Sequence, residues 1–275
     1  YRRQRQMCIR DSYKLIIQPL AKQLKSRSQI YVSLDSELNK IPFIPLMYYS
    51  PGSERIASDI KIRIISAPRD LVSAQKVTHG QVEPGRSIVF ADPHYQGNTD
   101  SRKTAEKDDK TRGSEIYPNK KWRQLDFARA EGVAVSNIID AKLFLKEEAS
   151  KDNLYKVASP LILHIAAHAF FEPLVKNTAE RRGSIYSDYS HYLNNSGLVL
   201  TGHDGSDGVL TAVEVSRLNL RNTEMVVLAG CSTGEGVAAN GQGVFGLYRA
   251  FIEAGAKTVL MSQWKVNDEA SMEFM

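Results

Sequence analysis

The chain has 275 residues, 42% of them hydrophobic and 24% charged, an ordinary globular composition that can bury a substantial core as one large α/β domain or two small ones. No apolar stretch approaches the ~18 residues needed to span a bilayer, and no basic n-region with an apolar h-region opens the chain, so neither a membrane nor a secretory route is expected. The net charge of +5 does not point to nucleic acid either: residues 1–12, YRRQRQMCIRDS, hold four arginines and one aspartate, carrying +3 and leaving +2 for the rest, too little basic surface for phosphate binding.

In chain order, residues 1–12 resemble a translated sequencing-adaptor read-through and are set aside from fold reasoning. Residues 13–25 place apolar side chains at helical spacing, 30–34 alternate as a strand, 60–65 (IKIRII) form another, and 71–77 are helix-like. Pro84 and Gly85 punctuate the chain before a strand at 88–91. Residues 98–121 mix Arg102, Lys103, Glu106, Lys107, Asp108, Asp109 and Lys110 without apolar periodicity, the pattern of a solvated loop. Helices are expected over 125–139 and 151–157. Residues 172–195 are irregular and include Arg181, Arg182, Gly183 and Ser184, an exposed dibasic loop open to cleavage. A short strand at 198–200 precedes Thr211, which with Glu214 three residues on forms a capping-box pattern. A strand at 225–230 follows, then an amphipathic helix at 243–254 with Val244, Leu247, Tyr248 and Phe251 on one face and Gly255 at its end. The last strand spans 259–264, and the residues up to Met275 open a further helix.

Two of these segments carry reactive residues. The run LILHIAAH ends at His168 and the run MVVLAGC ends at Cys231; short branched-apolar runs of this kind read as buried strands of a parallel sheet, whose carboxyl ends are where open α/β sheets bind ligands. A histidine beside a cysteine can take or stabilise the thiol proton, the minimum for nucleophilic catalysis. Cys8 lies in the set-aside segment, so Cys231 is the single native thiol. It can form no internal disulfide and no cysteine-rich zinc cluster, and it points to a reducing, cytoplasmic setting; the blander reading is a small buried hydrophobe. His164 lies four residues before His168, about 13 Å away along a strand, and reads as a satisfied core histidine. The His-x-x-x-His spacing lacks the helix and the glutamate a zinc hydrolase needs, Ile165 standing in that place. Gly241, Gly243 and Gly246 match G-x-G-x-x-G, but eleven residues after Gly230 rather than directly after the strand, so they read as a loop entering a helix.

The stretch from 225 to 268, MVVLAGCSTGEGVAANGQGVFGLYRAFIEAGAKTVLMSQWKVND, closely resembles the CHAT domain, a caspase-like family of cysteine peptidases related to separase. IYVSLDSELNKIPFIPL (30–46), SIVFADP (87–93) and ARAEGVAVSNII (128–139) resemble its opening strand and Leu-x-x-x-Pro-Phe turn, its next strand, and the helix before its histidine strand. The resemblance covers 13–275, is poorest over the charged insert at 95–124, and implies a domain truncated at its C-terminus. It implies a caspase-like α/β/α sandwich around a mostly parallel sheet, acting as a cysteine peptidase through a Cys231/His168 dyad with no carboxylate in close support. The backbone N–H groups of Cys231 and Ala169 would hold the oxyanion, Ala169 standing where the family has glycine. Alanine there is harmless unless the turn demands positive φ.

The same resemblance implies that Trp264 walls the subsite beside the scissile bond and that Glu235 or Asp268 attracts a basic P1 residue. It implies a protein or peptide substrate, no cofactor and no metal, and association with a tetratricopeptide-repeat region, although no ~34-residue repeat is visible in this chain. A module that keeps the fold and acts only by binding partners is the second reading, and a redox-sensing Cys231 the third.

Overall fold

The computed structural model describes residues 10–24, 27–34, 38, 43–48, 60–65, 71, 85–95, 122–171, 196–202, 208–229, 242–262 and 268–275. The expected helix at 71–77 beyond its first residue, the charged loop at 98–121 and the dibasic loop at 181–184 lie outside them. The chain divides into two compact units, Tyr1–His79 and Gly80–Met275.

In the first unit the predicted helical stretch is present as three short turns, Tyr13–Ile17, Gln18–Leu20 and α1 (Ala21–Leu24). Strand β1 (Gln29–Ser33) and strand β2 (Lys61–Ile65) pair in parallel, Ile30 opposite Ile62, with α2 (Phe43–Tyr48) between them in sequence. Tyr13, Ile17, Leu34, Phe43, Leu46 and Met47 bury a common core.

The second unit is built on strands β3 (Ile88–Pro93), β4 (Lys142–Lys146) and β5 (Ile162–Ala166), and later β9 (Met225–Ala229) and β10 (Val259–Met261). They form one parallel sheet in the order β10-β9-β5-β3-β4. Strand β4 was not anticipated: KLFLK offers three apolar residues between lysines, and at the sheet edge its side chains are only half buried. Helix α3 (Ala128–Ile138) covers one face and α4 (Lys151–Tyr155) begins at Ser150, whose hydroxyl caps Asn153 N–H.

Period-two alternation sorts the sheet between two cores. Leu163 and Ile165 of β5 turn to one face, with Phe90, Val226 and Leu228. There they meet α5 (Ala212–Val215) through Ala212 and Val215, and α6 (Gln242–Glu253) through Leu247, Ala250 and Phe251. Ala166, Val89, Ala91 and Ala229 turn the other way, onto Ala128 and Val135 of α3. The result is an α/β/α sandwich. Each fully buried leucine, isoleucine or phenylalanine contributes about 1.5–3 kcal/mol. The Thr211–Glu214 capping box forms as the spacing predicts, and Lys151 ties the α5 end to α4 by donating to Glu214 Oε1 at 2.7 Å and to the Val209 carbonyl at 2.9 Å.

The histidine run is not one strand. Strand β5 stops at Ala166, the chain bends at Ala167, and His168 opens β6 (His168–Phe171). This strand joins β7 (Ser196–Val199) and β8 (Val209–Thr211) in a separate antiparallel sheet. Leu198 and Val199 on β7 and Val209 and Leu210 on β8 bury β6 as well as the parallel sheet would, which is why apolar content alone does not reveal the bend. His164 stays in β5 and is buried, its Nε2 2.7 Å from Glu131 Oε1 on α3, the satisfied core histidine expected. The final helix, α7 (Asp268–Phe274), packs on α3. Among the described residues no helix is long and apolar enough to cross a membrane.

Helix α3 approaches β3 closely because Gly132 faces it: a Cβ there would lie 2.3 Å from the Ala91 Cβ. Gly132→Ala is therefore expected to cost about 1–3 kcal/mol through overpacking, despite the better helix propensity of alanine, measured as a lowered midpoint of urea unfolding.

Candidate functional site

The chain leaves β3 to form β4 on one side, then returns past β3 to form β5 on the other. In open α/β sheets such a reversal marks where ligands bind, outside the carboxyl ends of the strands, here those of β3 and β5. Strands β5 and β9 are paired in parallel with Ala166 opposite Ala229, so they finish level. His168 follows two residues after Ala166, and Cys231 two residues after Ala229 in the sequence. Cys231, Glu235 and Trp264 lie outside the described residues.

His168 is buried, 6% exposed, between two aromatic rings. Tyr95 stands 5.1 Å away and Trp122 5.2 Å away, centroid to centroid, and Trp122 also leans on Phe170 at 6.1 Å. The ring Nε2 is 2.7 Å from the Arg123 backbone oxygen. A carbonyl oxygen only accepts, so Nε2 carries the hydrogen, and in the neutral ring Nδ1 carries the basic lone pair. The His168 backbone N–H donates to the Tyr95 hydroxyl at 3.3 Å. Together these contacts fix the tautomer, the tilt and the height of the imidazole above the sheet.

Tyr95 is itself buried, and desolvation pushes its phenol pKa up. The hydrogen bond from His168 opposes this, while the charges of Asp92 and Asp268 add to it. Asp268 is thus within electrostatic reach of the wall of the histidine pocket. Its carboxylate is also engaged: Oδ2 accepts the Phe127 N–H at 2.8 Å, satisfying one of the donors left open at the start of α3.

Ala169 lies in β6 opposite Leu198. Among the described non-glycine residues, positive φ occurs at Asp92, Asp140, Lys146 and Ser159. Ala169 is not one of them, so alanine in place of glycine brings no backbone strain at this turn. No group of three or more His, Cys, Asp or Glu among the described residues is arranged to hold a metal ion.

A family model, the CHAT domain, matches residues 6–275. The chain belongs to the CHAT domain family. It is also similar to Tetratricopeptide repeat protein 28 of Homo sapiens, 25% identical over 291 residues covering 97% of this chain. The match takes in 11% of that protein, so the chain spans about a tenth of the relative's length. The caspase-like α/β arrangement expected of a CHAT domain is present in the parallel sheet and its two helical layers.

Three contributors to this site were not singled out from the sequence. Tyr95 and Trp122 sit at the two ends of the charged insert, and aromatic residues flanking a polar stretch are a usable signal for a buried wall. Arg123 acts through its main-chain oxygen, which no side-chain pattern encodes.

Because the folded-state pKa of Tyr95 is raised above its ordinary value of 10, its contribution to stability is complete below pH 10 and is lost as pH rises beyond that, since only the unfolded phenol ionises there. Tyr95→Phe is expected to remove up to about 1.4 kcal/mol per pH unit from the alkaline slope, read as the difference in denaturant midpoints between wild type and variant from pH 9 to 11.

Proposed function

We propose that this CHAT domain is a cysteine endopeptidase that cleaves a protein substrate through Cys231 and His168. The observation that carries the reading is the orientation of His168 by the Arg123 carbonyl, next to the strand whose sequence leads to Cys231. An imidazole held with Nε2–H against a main-chain oxygen keeps Nδ1 as its proton acceptor.

In this mechanism Nδ1 takes the thiol proton and the Cys231 sulfur attacks the peptide carbonyl carbon. The resulting oxyanion is met by the backbone N–H groups of Cys231 and Ala169. The peptide C–N bond then breaks as the imidazolium returns its proton to the leaving amine, and water hydrolyses the thioester to regenerate the thiol. The Arg123 oxygen accepts a hydrogen bond throughout and stabilises the imidazolium while it exists. Trp264 is assigned to the subsite wall, and Glu235 or Asp268 to attraction of a basic P1 side chain.

A second reading is a catalytically silent module that works by protein–protein interaction in the reducing interior of the cell. It is favoured by the similarity to a protein named for its tetratricopeptide repeats, and such a repeat region is the partner proposed under either reading.

Peptidyl electrophiles differing at P1 separate the two. Expected is covalent modification of Cys231, located by mass spectrometry, lost completely in Cys231→Ala and slowed at least about 100-fold in His168→Ala, the scale of general acid–base assistance. Labelling no faster than in denatured protein would overturn the peptidase reading and leave the binding module.

A further inference from the structure

The Arg123 carbonyl that orients His168 lies in residues 122–127, a stretch without regular secondary structure. A main-chain oxygen in such a stretch keeps its place only if its neighbours are anchored. Trp122, on one side, is held by ring contacts with His168 and Phe170. Gln124, on the other, donates its side-chain amide to Asp92 Oδ1 and to the Pro93 carbonyl, the latter at 3.0 Å.

Asp92 combines deep burial with an uncommon backbone conformation. It is 2% exposed and adopts φ 51°, at the irregularity where β3 shifts register against β4 between Ala91 and Pro93. Its Oδ2 faces Lys146 Nζ at 2.9 Å and an Arg129 guanidinium nitrogen at 3.9 Å. Lys146, the last residue of β4, also has φ 51°. Left-handed backbone is uncommon at a non-glycine residue and persists where the surroundings over-determine it. Here two such residues sit side by side at the carboxyl edge of the sheet, joined by an ion pair. The same edge is laced further by Thr201, whose hydroxyl accepts the His94 N–H at 2.8 Å and donates to the Lys146 carbonyl at 2.6 Å.

Both oxygens of the Asp92 carboxylate are thus committed, one to Gln124 and one to cations, so it is not placed to take a proton from substrate. We propose that Asp92 is a positioning residue for His168: anchored by Lys146 and Arg129, it holds Gln124, and Gln124 holds the adjoining Arg123 carbonyl against Nε2. The consequence is that the imidazole's tautomer is set from the end of β3 rather than by a carboxylate bound to the ring itself. As a statement about catalysis this rests on the peptidase reading; as a statement about His168 it does not.

The test uses the 275-residue chain and two measurements. Long-range nitrogen–proton spectra report which ring nitrogen of His168 is protonated, with the resonance assigned by His168→Gln; the rate of Cys231 modification by a peptidyl electrophile reports reactivity across pH. Asp92→Gly removes the carboxylate at a φ that glycine accepts without strain, and Gln124→Ala breaks the next link. Both are expected to turn a single Nε2–H tautomer into a mixture and to slow modification on the order of 10- to 100-fold. Asp92→Asn keeps an acceptor for Gln124 at a φ that asparagine tolerates, and is expected to restore most of the rate and the single tautomer. Unchanged tautomer and rate in Asp92→Gly and Gln124→Ala, with wild type reactive, would overturn the proposal. If wild type is unreactive the peptidase reading fails, and the tautomer populations alone decide: a mixture in the variants supports the positioning role, an unchanged single form overturns it.

Discussion

The parallel pairing of β5 with β3 on one side and β9 on the other is the constraint from which the rest follows. It brings the exits of three strands, distant in sequence, to one edge of the sheet. The exit of β3 supplies Tyr95 and the strained Asp92, that of β5 supplies His168, and that of β9 leads to the cysteine. Parallel strands require crossovers, and here these are α3, α4, α5 and α6, whose apolar faces form the two cores. The chemistry at the edge and the cohesion of the sandwich are therefore set by the same hydrogen-bonded register.

At that edge the protein spends conformational strain and burial on keeping one ring still. His168 is walled by two aromatic rings, bound through Nε2 to a carbonyl and through its own backbone N–H to a phenol. Each contact is modest alone, about 0.5–1.5 kcal/mol for a hydrogen bond. Acting together they leave the imidazole little freedom, which under the proposed peptidase reading lowers the reorganisation a general base needs when a reaction begins. The second histidine of the same run meets the opposite fate: His164, four residues earlier, is spent on a buried contact with Glu131 that fastens α3 to the sheet.

Much of this was legible in the sequence because burial leaves a pattern. The runs at 88–91, 162–166 and 225–229 are apolar on both faces, as central parallel strands must be, and Thr211 with Glu214 announces its helix by cap chemistry. The features that escaped detection lack such a pattern. Strand β4 is an edge, where one side needs no apolar cover. The break at Ala167 exchanges one buried sheet for another without any change in composition. The Arg123 carbonyl belongs to a backbone that every residue shares, and the left-handed turns at Asp92 and Lys146 involve residues whose usual place is the surface. Ala169 illustrates the converse: a departure from the family's glycine is visible in the sequence, whereas its harmless backbone, in a strand and outside the positive-φ residues, is visible only in the fold.

Asp268 joins two ideas about where a working fragment can be cut. Its carboxylate stands in the first turn of α7 and accepts the N–H that opens α3, more than a hundred residues away in the chain. A fragment ending after β10 would keep every strand of the sheet, yet it would uncap the helix that covers β3 and withdraw a negative charge from beside Tyr95. A helix cap, seven residues past the last strand, thus ties the segment after the sheet into the folded unit.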